Sequence, residues 1–131
     1  MDWDAWVTST ETTLAMGSER RFRDLFAPGG RFSDPVTPST TDIESIELMT
    51  ESSFPDWRQQ MTSIRGDDSS GAFEWVGRGT LGGTTPIEIH GCTVVTVDAA
   101  GLVVTWRDYF DLQAVERQVG QVLDAGDGGP A

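Results

Sequence analysis

Lysine is absent from this chain. All nine basic residues are Arg, against 21 Asp and Glu, and the formal net charge is -12. A field of that sign works against nucleic acid and anionic membrane surfaces as partners, and it disfavours anionic substrates. Cysteine occurs once, as Cys92, so neither an intrachain disulfide nor a cysteine metal cluster can form. Histidine also occurs once, as His90, and a zinc site of one His with carboxylates is uncommon. No metal and no cofactor is expected. No apolar run approaches membrane-spanning length. The N-terminus, MDWDAW, lacks the basic stretch of a secretory signal, so a soluble cytoplasmic protein is expected.

What is present suits a single domain. A chain of 131 residues can bury a core and still enclose one small cavity. Five Trp and six Phe supply bulky apolar volume. The domain is read as residues 1–124, followed by a flexible Gly-rich tail at 125–131.

Trp3, Trp6, Val7, Thr10 and Leu14 fall at helical spacing over residues 3 to 16. Gly17-Ser18 breaks this segment, and Ser18 is placed to cap a short second helix from Glu19 to Phe26. Ala27-Pro28-Gly29-Gly30 stops that helix, and Arg31 to Val36 reads as a short extended piece. A polar turn, Thr37 to Thr41, leads to a capping-box pattern at Thr41-Asp42-Ile43-Glu44 and a third helix. From Arg58 onward the period changes to two. Strands are predicted at 59–65, 72–81, 84–97 and 102–110, with turns at 66–71, Gly82-Gly83 and Asp98–Gly101. Leu112, Val115, Val119 and Leu123 mark a last helix. The order predicts an α+β fold: a curved antiparallel sheet with helices packed on its concave face around a pocket.

The stretch Trp106-Arg107-Asp108-Tyr109-Phe110 carries the chemistry. On a strand, Trp106, Asp108 and Phe110 share one face, and Arg107 and Tyr109 share the other. With the first face inward, Asp108 is a carboxylate in an apolar hollow, where desolvation raises its pKa and suits it to move protons. Phe32 and Asp34 likewise share a face. Ile87 and Ile89 are read toward the pocket, which turns His90 away. Glu74, Val76, Arg78 and Thr80 share one face of their strand, which makes Glu74 an alternative pocket carboxylate.

Three pieces resemble a known superfamily: Arg31-Phe32-Ser33-Asp34-Pro35, Glu74-Trp75-Val76-Gly77-Arg78-Gly79-Thr80, and Trp106-Arg107-Asp108-Tyr109-Phe110-Asp111-Leu112. With the element order, they resemble the NTF2-like, SnoaL-like cone fold. The third piece is most similar to the limonene-epoxide hydrolase-like branch. That resemblance implies one-step opening of an epoxide by water, with an Asp–Arg–Asp set. Asp108 matches the Asp that ends the last strand, and Arg78 matches the Arg. Thr80 stands where the partner Asp would be, and Phe32 and Asp34 stand at the water-positioning Tyr and Asn.

The reading is a small cofactor-independent enzyme that opens an epoxide on a neutral lipophilic molecule, by hydrolysis or cyclisation. Asp108 and Asp34 form the proton-transfer pair, Arg78 orients them, and Phe32, Trp75, Thr80, Ile87, Ile89, Trp106 and Phe110 bind substrate. The alternatives are a SnoaL-like polyketide cyclase or a ketosteroid-isomerase-like proton transfer with Asp108 as base, and a non-catalytic binding or dimerisation module. A homodimer is expected, paired through the outer sheet face that carries Glu88, His90, Arg107 and Tyr109.

Overall fold

The structure, a computed structural model, describes residues 1–15 and 19–127. The Gly17-Ser18 break, the Leu123 side chain and tail residues 128–131 lie outside what it describes. Among the described residues, three α-helices, α1 (Trp3–Leu14), α2 (Ile43–Ser53) and α3 (Leu112–Asp127), accompany six strands. The strands are β1 (Phe26–Asp34), β2 (Thr37–Thr40), β3 (Arg58–Gly66), β4 (Ser70–Leu81), β5 (Thr85–Val97) and β6 (Val103–Phe110). They form one curved sheet in the order β2-β1-β6-β5-β4-β3. No described helix is long and apolar enough to cross a membrane.

The four later strands fall where period-two alternation and glycine turns place them. The early half differs from expectation. The predicted helix at Glu19–Phe26 is a single 3-10 turn, Phe22–Leu25. Ala27-Pro28-Gly29-Gly30 does not stop a helix but lies inside β1, at a break in its pairing with β6 between Phe26 and Arg31. Gly29 has φ +75°, and a strand irregularity of this kind tolerates both Pro and Gly. Thr37–Thr40, expected as a turn, is β2, an edge strand antiparallel to β1. The N-cap of α2 is Asp42 rather than Thr41, and its side chain accepts from Ser45 N at 3.2 Å.

The helix α1 is Thr-rich yet stable in context. Buried Thr10 and Thr13 donate their hydroxyls to the carbonyls of Trp6 and Ser9 at 2.9 and 3.0 Å, so neither polar group is orphaned. Trp3 and Val7 bury the inner side of α1, which packs along β3. Trp106 is the hub of the core, with ring contacts to Trp6, Phe22, Phe26 and Phe73 at centroid distances of 5.0 to 6.4 Å. Such edge and tilted pairs add about 0.5–1.5 kcal/mol each beyond area burial.

Two features of the sheet position the site. First, β1 pairs with β6 in parallel, with Phe32 opposite Trp106 and Ser33 opposite Arg107. Everything else in the sheet is antiparallel. Second, glycines on the inner face let tryptophans lie flat against the backbone. A Cβ at Gly77 would meet Trp57 Cζ2 at 2.1 Å, and one at Gly91 would meet Trp75 Cζ2 at 2.3 Å. Past the end of β6, α3 takes over the edge of β5. The Gln118 side chain accepts from Glu88 N at 2.9 Å and donates to Glu88 O at 2.7 Å, as a neighbouring strand would.

Candidate active site

The parallel pairing of β1 with β6 brings two carboxylates to one face. Phe32 and Trp106 are opposite each other and buried, at 4% and 2% exposure. Two residues further along each strand, on the same face, come Asp34 and Asp108. Both line a cavity of about 690 Å³ between the inner sheet face, α2 and the start of α3. Its walls are aromatic and aliphatic: Trp57, Trp75, Phe54, Phe110 and Ile89 on one side, Phe22, Phe32 and Trp106 on another, with Leu112 and Val115 from α3.

Asp108 is half-buried in this wall. Its Oδ1 accepts from Thr93 Oγ1 at 2.5 Å and from Trp106 Nε1 at 2.8 Å. Its Oδ2 takes no hydrogen bond from the described residues. Burial pushes the Asp108 carboxyl up to about 7. The Thr93 and Trp106 donors pull against that, and the Asp34 charge adds to it. No arginine is among the groups that set it. At neutral pH the carboxyl is therefore divided between its acid and base forms, the condition that favours proton transfer.

Asp34 is held differently. Pro35 follows it, and its Oδ1 accepts from Val36 N at 2.8 Å in an Asx turn at the end of β1. The cations on the cavity wall are Arg20 and Arg21, both near the 3-10 turn. Arg21 Nη2 is bound to Glu51 Oε1 at 2.5 Å and lies 3.4 Å from Glu47 Oε2. Arg20 Nη1 donates to Ser9 Oγ at 3.2 Å. Among the described residues, no three His, Cys, Asp or Glu side chains converge as metal ligands.

Of the residues singled out from sequence, the cavity brings together Asp108, Asp34, Phe32, Trp75, Ile89, Trp106 and Phe110. Ile87 is buried but does not reach it. Arg78 is not in it. The inner face of β4 is made by Gly71, Phe73, Trp75, Gly77 and Gly79, so Arg78 and Glu74 project from the outer face. There Arg78 Nε donates to Glu88 Oε1 at 2.8 Å, and His90 Nε2 lies 2.9 Å from Glu88 Oε2. The two contacts hold the Glu88 carboxyl below its usual range, His90 first. Thr80 is also outside the cavity. Its N–H and hydroxyl both donate to Asp56, each at 2.7 Å, and tie the α2–β3 connection to β4. Arg107 and Tyr109 lie on the outer face, where Tyr109 is 53% exposed. Cys92 is half-buried, and burial, then the charges of Glu74 and Asp108, push its thiol up, away from the reactive thiolate.

Thr93, the hydroxyl that donates to Asp108, is a residue that sequence reasoning missed. It is fully buried and pairs in register with Asp108 across β5 and β6. A signal existed: on the inner face of β5, Ile87, Ile89, Gly91, Thr93, Val95 and Val97 follow one another, and Thr93 is the one polar side chain in that row. Trp57 also forms part of the cavity wall.

Comparisons with known proteins support the same architecture. No curated protein matches the chain. Among solved structures, a protein of ketosteroid isomerase-like fold from Catenulispora acidiphila, solved with trimethylamine, has TM-score 0.77 at 20% identity. The match covers 88% of this chain and 92% of that one. An LEH-like epoxide hydrolase of M. tuberculosis has TM-score 0.74 at 13% identity, covering 95% of each chain. A protein assigned as a SnoaL-like polyketide cyclase from Jannaschia sp. CCS1 has TM-score 0.72 at 16% identity, covering 88% of this chain and 89% of that one. Identities this low speak for the fold alone. In sequence, the model of the SnoaL-like domain matches residues 7–106, from the middle of α1 to the first half of β6. A six-stranded sheet curved around an apolar cavity and a family match over most of the chain lead to one conclusion: this protein belongs to the SnoaL-like domain family.

Proposed function

We propose that this protein is a small acid–base enzyme acting on a lipophilic small molecule, and that its reaction is the opening of an epoxide by water or by an internal hydroxyl. One observation carries this reading. Asp108 and Asp34 share an apolar cavity, and Asp108 has an uncommitted oxygen and a carboxyl pushed up to about 7. Two carboxyls in unlike environments can hold one proton between them, so that one acts as acid and the other as base. The aromatic walls suit an apolar body.

The reaction differs from the Asp–Arg–Asp scheme implied by the epoxide hydrolase branch. Arg78 and Thr80 are occupied elsewhere, so the second carboxyl is Asp34 and Arg78 does not hold the pair. A second reading, proton abstraction beside a carbonyl with Asp108 as base, is favoured by the same carboxyl value near neutrality. A panel of epoxides and enolisable ketones separates the two. Asp108→Asn should lower turnover of the true substrate class by about 10²- to 10⁴-fold. Undiminished turnover in that variant would remove Asp108 from the chemistry.

A further inference from the structure

The direction of three hydrogen bonds locates the proton on Asp108. An indole N–H can only donate. Trp75 Nε1 lies 2.8 Å from Thr93 Oγ1, so the Thr93 hydroxyl accepts there and its single proton points elsewhere. It points to Asp108 Oδ1, at 2.5 Å. Trp106 Nε1, again a pure donor, reaches the same oxygen at 2.8 Å. Thr93 is fully buried, so solvent does not compete for its hydroxyl. A proton on Oδ1 would face two other protons. When Asp108 is neutral, its proton therefore sits on Oδ2.

We propose that Asp108 is the general acid of the site, delivering its proton from Oδ2, that Asp34 is the general base, and that Thr93 is the positioning residue that fixes these roles. This assignment rests on the acid–base reading above and deepens it. Asp34 has one donor on its carboxylate, the Val36 N–H, and it carries the negative charge that helps keep the proton on Asp108. In the reaction, the water oxygen bonds to an epoxide carbon as the C–O bond breaks. The electron pair of that bond stays on the ring oxygen, which takes the Oδ2 proton. Asp34 takes the proton that the attacking water releases. The product is the diol, and return of the proton from Asp34 to Asp108 restores the site. With an internal hydroxyl in place of water, the same transfers give a cyclic ether.

The test reads the carboxyl itself as well as turnover. In infrared difference spectra of the parent against Asp108→Asn, the protonated carboxyl shows a C=O stretch from Oδ1. That band should be low, because Oδ1 accepts two hydrogen bonds. Thr93→Val removes one of them. The band should move to higher wavenumber and its titration midpoint should rise by about one pH unit, since a donor to the charged form is lost. Thr93→Ser should restore both values. The kcat of Thr93→Val should fall about tenfold with KM unchanged, and Thr93→Ser should recover it. If Thr93→Val does not fold, Trp106→Phe takes away the other donor and must move the band the same way. An unmoved band and midpoint would overturn the assignment even where epoxides are turned over. Absent turnover of epoxides and ketones would overturn the acid–base reading, while the band still reports where the proton sits.

Discussion

Thr93 and Asp108 are register partners across β5 and β6, and the hydroxyl of one touches the carboxylate of the other at 2.5 Å. The contact is a balance. Burial works against the ionised form of Asp108, and the donors work for it. Two donors on one oxygen, opposed by enclosure and by the Asp34 charge, bring the carboxyl to about 7.

The sign of the pH dependence follows from the role of that group. As a general acid, Asp108 works only while protonated, so kcat should fall as pH rises through about 7. As a base removing a proton beside a carbonyl, it works only when ionised, and kcat should rise over the same range. A pH–rate profile with the best substrate from either panel decides between them.

The same group makes stability depend on pH. Between about pH 4 and 7, folded Asp108 keeps a proton that the unfolded chain has released, so its contribution to stability declines as pH rises and levels off above about 7. Asn at this position keeps an acceptor for Thr93 and Trp106 without a charge. Asp108→Asn should be more stable than the parent at pH 8 by roughly 1–3 kcal/mol and nearly equal to it at pH 4.5. Urea unfolding of both proteins at the two pH values measures the difference. A variant less stable than the parent at pH 8 would contradict the enclosure of Asp108.

Cavity size depends on Gly77. A Cβ there would lie 2.1 Å from the Trp57 ring, which must then tilt toward the cavity and away from Gln59 Oε1, its acceptor at 3.1 Å. Gly77→Ala should cost about 1–3 kcal/mol and raise KM for bulky substrates more than for small ones. Adding Trp57→Phe should recover part of both losses. Equal KM changes for large and small substrates would count against Trp57 as the limiting wall.

Arg78 is a control. It pairs with Glu88 on the outer face, with both side chains nearly half exposed. Arg78→Gln should leave turnover unchanged and cost less than about 1 kcal/mol. A hundredfold loss of kcat would mean that the chemistry does not take place in the cavity lined by Asp108.

Much of this was legible in the sequence because period-two patterns survive wherever both faces carry side chains. Trp106, Asp108 and Phe110 could be assigned to the inner face, and so could Phe32 and Asp34, because each strand offered a contrast. The face of Arg78 could not be read. Its neighbours Gly77 and Gly79 are the inward residues, and they show no apolar signal because Trp57 and Phe54 fill their places from a connection elsewhere in the chain. Val76 then mimicked an inward residue and carried Arg78 with it. β1 was hidden for a related reason. Pro28-Gly29-Gly30 reads as a stop, and only the long-range pairing with β6 turns it into an irregular strand.

That parallel pairing has a consequence for how the protein is made. Asp34 lies in the first strand and Asp108 in the last, and no local structure brings them together. In the sheet β6 lies between β1 and β5, so without it Asp34 has no second carboxyl beside it. In the proposed reaction, the acid–base pair exists only where β6 is docked beside β1. On that reading, copies that lack a docked β6 are silent, and turnover would report that the sheet is complete.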